Sequence, residues 1–175
     1  MIHETESDNT MTEEKDLGLV LKRAIKGERD GYFFYNLLAE KATNKDAKRK
    51  LENLRDDEIR HEKTLIDIYG RMVGGEIGEL PEKGINALAE VFRKGHLEER
   101  KTEQEFISLA IEAELAATKF YQEQEAATDD PEFKAIFKEL ADEEHQHFQL
   151  LQAEKDALGG NYSWFGYDES SPMEH

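Results

Sequence analysis

Apolar residues recur at alternating steps of three and four along four stretches of this chain, the spacing that lines one face of an α-helix. The first stripe is Leu21, Ala24, Glu28, Gly31, Tyr35, Leu38, Ala42, and the second is Ala47, Leu51, Leu54, Glu58, His61, Leu65, Ile68. The third is Ile107, Ala110, Glu114, Ala117, Tyr121; the fourth is Phe133, Phe137, Leu140, Glu144, His147, Leu151, Leu158, with Glu154 interrupting its far end. Helices are expected over about 12–43, 45–69, 102–128 and 130–158. Local signals agree. Asn44 stands where an N-cap belongs, Gly70 suits a C-cap, Asp130 before Pro131 gives an N-cap and a proline at the first helical position, and Gly159-Gly160 stops the last helix. Residues 1–11 read as a disordered tail. Residues 71–101 read as a long connection with a short helix inside PEKGINALAEVFRKG. The expected fold is all-α, a four-helix bundle over 12–158.

The two halves repeat each other. At a constant offset of 86 positions, Ala24, Ile25, Glu28, Phe34 and Tyr35 meet Ala110, Ile111, Glu114, Phe120 and Tyr121. Lys48, Leu54, Asp56, Glu58, His61 and Leu65 likewise meet Lys134, Leu140, Asp142, Glu144, His147 and Leu151, and Asp57 meets Glu143. Two copies of a helical hairpin joined by a crossover account for this. A 25-residue helix is roughly 37 Å long and extended chain covers that in about 11 residues. The 71–101 connection can therefore travel the length of the bundle between helices 2 and 3.

Each apolar stripe breaks at the same level with a glutamate: Glu28, Glu58, Glu114 and Glu144. Four carboxylates in one layer of a core would be prohibitive unpaired, since each buried charge costs several kcal/mol after relaxation. No Lys or Arg lies on the inner stripes. Two divalent cations would balance four carboxylates, with two neutral imidazoles completing the ligand set. Positions i and i+3 project from one helix face, so Glu58 with His61 can grip one ion and Glu144 with His147 the other.

The pattern Glu28…Glu58-x-x-His61…Glu114…Glu144-x-x-His147 resembles the di-iron domain of the rubrerythrin and ferritin-like superfamily, over nearly all of 12–158. The resemblance implies two iron ions bridged by Glu58 and Glu144. Glu28 and Glu114 would be terminal ligands, and each histidine would bind one ion. Tyr35 and Tyr121 resemble the family's tyrosines that hydrogen-bond ligand carboxylates. The chain departs from rubrerythrins in lacking the four-cysteine rubredoxin domain and in placing Ala117 where they carry an additional glutamate. The site that remains is the more symmetric for it, closer to bacterioferritin-type centres.

Composition narrows the chemistry. The chain has no cysteine, which removes thiolate zinc sites, iron–sulfur clusters and cysteine nucleophiles. A net charge of −17 without a basic cluster argues against nucleic acid. No apolar run approaches the roughly 20 residues of a membrane span, and the polar, acidic start has no signal-peptide pattern; the expectation is a cytoplasmic protein. The function expected from the resemblance is a non-haem di-iron oxidoreductase, a peroxidase or ferroxidase reducing hydrogen peroxide or oxygen. Its electrons would come from a separate donor protein, and the chain would form a homodimer. The alternatives are a ferritin-like iron storage or iron-handling subunit and a metal-binding module without turnover. Manganese accepts the same ligands as iron. His145, Glu62 and Glu143 fall off the inner stripe and are expected to face solvent. Gly31 and Ala117 would ease helix packing or leave room for an oxidant. The aromatic stretch within the 159–175 tail, Tyr162-Ser-Trp-Phe-Gly-Tyr167, is expected to dock on the bundle or on a second subunit, or else to serve as a recognition tag for another protein.

Overall fold

The computed structural model describes residues 5–88, 102–159 and 161–166. Among the described residues four helices, α1 (Thr5–Lys41), α2 (Lys45–Met72), α3 (Glu103–Ala127) and α4 (Pro131–Ala157), make an all-α bundle. α1 packs along α2, and α3 along α4. The hairpins meet antiparallel: Tyr35 of α1 contacts Glu114 of α3 while Tyr121 contacts Glu28, and His61 of α2 contacts Glu144 of α4 while His147 contacts Glu58. This pairing requires the crossover to run the length of the bundle, as the connection's length implied.

The expected stripes are the buried faces. Every position named on them is buried except Leu158, which is half-buried. The layer of glutamates and histidines divides the apolar core in two. One cluster gathers Phe34, Leu38, Leu51, Leu54, Phe106 and Ile107; the other gathers Leu21, Ile25, Leu65, Ile68, Phe137 and Leu140.

The caps form for the expected reasons. The Asn44 side chain accepts from Asp46 N and Ala47 N at 2.9 and 3.1 Å, and Asp130 does the same for Glu132 N and Phe133 N at 2.9 and 3.2 Å. Thr102 and Glu105 add a reciprocal capping box.

Two expectations change. α1 begins at Thr5, so residues 5–11 continue the helix; no proline or glycine interrupts the chain between Thr5 and Leu17, and its glutamates, lysine and methionine favour helix. Gly70 does not end α2. A lone helical glycine costs only about 1 kcal/mol, and Tyr69, Met72 and Val73 pack into the second core cluster. The helix ends instead where Val73 N and Gly74 N both donate to Tyr69 O, before Gly74 and Gly75 take φ of 78° and 72°. The short helix expected within residues 81–95 falls partly outside those described: residues 81–87 are not helical, Leu88 is, and 89–95 lie outside the described residues. His3, His96, Tyr167 and His175 also lie outside them.

Among the described residues no helix is long and apolar enough to cross a membrane.

Candidate metal centre

All six residues expected at the centre converge. Two overlapping groups, Glu28, Glu58, His61, Glu144 and Glu58, Glu114, Glu144, His147, each bring one ligand atom per residue within 4.8 Å of the others. Glu58 and Glu144 belong to both groups, and the remaining residues divide evenly between them. All six are buried, His147 being the most accessible at 7%.

The histidines aim Nδ1 inward. His61 Nδ1 lies 2.7 Å from Glu144 Oε1 and 3.4 Å from Glu28 Oε2. His147 Nδ1 lies 3.3 Å from Glu144 Oε2 and 3.6 Å from Glu114 Oε2. These approaches are not aligned as hydrogen bonds: both Nδ1 atoms, Glu144 Oε1 and Glu28 Oε2 are buried without a hydrogen-bond partner. Orphaned polar atoms converging from three helices are costly unless a cation lies among them. The donor set of carboxylate oxygens and imidazole nitrogens suits iron or manganese.

Each outward imidazole nitrogen has a carboxylate. His61 Nε2 is 2.5 Å from Glu143 Oε2, and His147 Nε2 is 3.2 Å from Asp57 Oδ2. Such a pairing fixes the tautomer that leaves Nδ1 free to coordinate. Arg60 spans both acids, 2.8 Å from Glu143 Oε2 and 2.8 Å from Asp57 Oδ1. The expectation that Glu143 faces solvent is therefore corrected: it is drawn across the helix interface by His61. Its repeat partner Asp57 makes the equivalent contact, so the repeat itself carried the signal. Glu62 does stay outside the centre, paired with Arg29 Nε at 2.9 Å. His145 is exposed, beside Gln149 at 3.1 Å.

The tyrosines close the layer. Tyr35 Oη donates to Glu114 and Tyr121 Oη to Glu28, each across the α1–α3 interface. Burial, followed by the neighbouring glutamates, raises both phenols well above their ordinary value, so both remain donors. Burial and the charge of Glu144 push Glu114 up to about 8, and burial with the charges of Glu28 and Glu144 raises Glu58. Burial opposes protonation of His61, but the Glu143 and Glu144 carboxylates outweigh it and push the imidazole up to about 12; Asp57 and Glu114 do the same for His147. Without a metal the layer must balance its charge with protons.

Gly31 of α1 faces the Glu58 side chain of α2. A Cβ on Gly31 would lie 2.6 Å from Glu58 Oε2 and 2.9 Å from its Cδ, so only glycine leaves this carboxylate its position. Gly31, Ala117 and the four glutamates also line a cavity of about 10 Å³, roughly the space one water needs.

A family described as Rubrerythrin matches residues 20–155, and again 105–171, where the second hairpin lies. A protein of Bacillus subtilis (strain 168) named "Uncharacterized protein YhjR" is 29% identical over 127 residues, covering 73% of this chain and 78% of its own length. Among solved structures, a hypothetical protein from Pyrococcus furiosus is similar with a TM-score of 0.65 and 30% identity, over 80% of this chain and 88% of that one.

Proposed function

The chain belongs to the rubrerythrin family, and from that premise we propose that it is a non-haem di-iron oxidoreductase that reduces hydrogen peroxide or oxygen. Glu28, Glu58, His61 and Glu144 would hold one iron, and Glu58, Glu114, Glu144 and His147 the other, with Glu58 and Glu144 shared. When bound, the iron pair supplies the two electrons that take peroxide to water. The chain's own part is to position and to manage protons. Glu143 and Asp57 fix the imidazoles through Nε2. Tyr35 and Tyr121 hold Glu114 and Glu28 by donated hydrogen bonds and keep their protons within the site. The apolar clusters above and below exclude water, which strengthens every charge interaction in the layer.

The observation that carries this reading is the set of buried, unpartnered atoms at the meeting point of four carboxylates and two imidazoles. Because these 175 residues hold no cysteine to bind a rubredoxin-type iron, the reductant is proposed to be a separate electron-donor protein. A cytoplasmic homodimer is proposed on the same resemblance.

The test is peroxide titration of the anaerobically iron-loaded protein, followed optically. Oxidation by one peroxide per iron pair, repeated after adding a reductase and lost in His147→Ala, is the expected result. Accumulation of many irons per chain without peroxide turnover would favour storage instead. Iron binding with neither behaviour would leave a binding module.

A further inference from the structure

The two faces of the centre differ in access. The histidine face is closed by Asp57, Glu143 and Arg60, whose contacts span α2 and α4. On the carboxylate face the small inner cavity shares Asn86, Leu88 and Ala113 with a much larger one of about 360 Å³. That outer cavity lies between α1, α3 and the crossover residues 83–88, with Leu109 and Ala116 on its apolar wall and Arg23, Lys83 and Glu112 completing its lining.

The crossover is held there by a backbone contact that admits no side chain. A Cβ on Gly84 would lie 2.8 Å from Gly27 N, and one on Gly27 would lie 2.4 Å from Ile85 Cγ1. Asn86 Nδ2 reaches Gly27 O at 3.4 Å, and Asn86 Oδ1 accepts from Leu88 N at 3.1 Å. These contacts set Leu88, only 3% exposed, at the boundary between the cavities.

We propose that the outer cavity is the access vestibule through which a small uncharged oxidant reaches the carboxylate face, and that Leu88 and Asn86 form its constriction. The proposal rests on the di-iron reading above and assigns the side from which that site is served. The constriction carries no charge: Leu88 and Ala113 are apolar and the Asn86 amide is already engaged with Gly27 O and Leu88 N, so hydrogen peroxide or dioxygen passes at little desolvation cost. Arg23 and Lys83 at the mouth, against the single acid Glu112, make a poor funnel for ferrous ions, so the route serves the oxidant rather than iron traffic.

The experiment uses the iron-loaded full chain and nitric oxide, an uncharged diatomic probe, with the rate of binding to the ferrous centre read by stopped flow. Ala116→Trp fills the vestibule without touching the inner cavity, and Leu88→Ala widens the constriction. Both are expected to keep the wild-type iron content and spectrum. Ala116→Trp should slow nitric oxide binding by about tenfold or more, and Leu88→Ala should accelerate it several-fold. Iron-loaded variants that bind at the wild-type rate overturn the route, and should Ala116→Trp not fold, Leu88→Ala decides alone. If nitric oxide rates shift as expected but wild type does not consume peroxide, the reaction proposed above falls and the route stands. A chain that takes up no iron overturns both.

Discussion

Helix α4 buries two glutamates ten residues apart, and the chain treats them in opposite ways. Glu154, 5% exposed, receives Lys50 across the bundle, the Tyr162 hydroxyl and the Trp164 indole at 3.0 Å. Glu144, 1% exposed, sits among three further glutamates, and among the described residues no Lys or Arg pairs with any of the four. One site is finished by the polypeptide; the other is a group that could hold a cation. A buried carboxylate is thus no sign of a metal by itself; the sign is several buried carboxylates and imidazoles whose unpartnered atoms converge on one point.

The difference can be broken from the metal side first. Chelating iron from the loaded protein should lower its melting temperature by about 10 °C. A ligand at about a thousand times its Kd stabilises by about 4 kcal/mol, and a domain of this size shifts by roughly 2–4 °C per kcal/mol. Calorimetry on holo and chelated protein checks this, and an unchanged transition would contradict it. On the finished side, Lys50→Met should cost about 2 kcal/mol, a reduced figure because Lys50 is about a third exposed. Denaturant titration and Trp164 emission would both register it, with iron content unchanged.

A smaller effect sharpens the comparison within the centre. Asp57→Asn and Glu143→Gln should each weaken metal binding by about 10–100-fold and to similar degrees, because the two residues are repeat partners in equivalent contacts. A competitive chelator titration measures it. The smallest expected effect is with acid. Burial alone would raise the Glu154 carboxyl, but Lys50, Tyr162 and Trp164 outweigh it and hold it below its ordinary 4.5. Its stabilisation is thus present above 4.5 and lost as pH falls through the lowered folded value. Trp164 fluorescence should report loosening of the tail only in that acidic window.

The same contrast explains what was legible in the sequence. Helix spacing and the 86-residue repeat are properties of one chain segment laid on another, and they placed Glu28, Glu58, His61, Glu114, Glu144 and His147 in one layer. Glu143 escaped because the stripe describes where a side chain leaves its own helix, while His61 draws Glu143 across a helix interface. Glu154 looked like a fault in the fourth stripe because its partners come from α2 and from the tail. Trp164 O, accepting from Thr43 N at 2.8 Å, and Ser163 and Phe165 N, both bonded to Glu103 at 2.6 Å, secure that tail to the bundle. The aromatic residues leave docking on the bundle, docking on a second subunit and a recognition tag all open; the polar anchors, which no sequence pattern marks, tie residues 163–165 to the bundle. The Gly27–Gly84 contact is likewise visible only once the crossover is laid on α1.

The central claim is that the glutamate–histidine layer is a two-metal site. Anaerobic titration with ferrous iron, read by calorimetry on wild type and on Glu58→Ala, tests it most directly. The account predicts a break at two irons per chain in wild type. It predicts no such break in Glu58→Ala, whose metal-free form should be at least as stable as metal-free wild type, because a buried carboxylate has been removed. Failure of wild type to bind iron saturably, or a Glu58→Ala chain that still binds two, would contradict it.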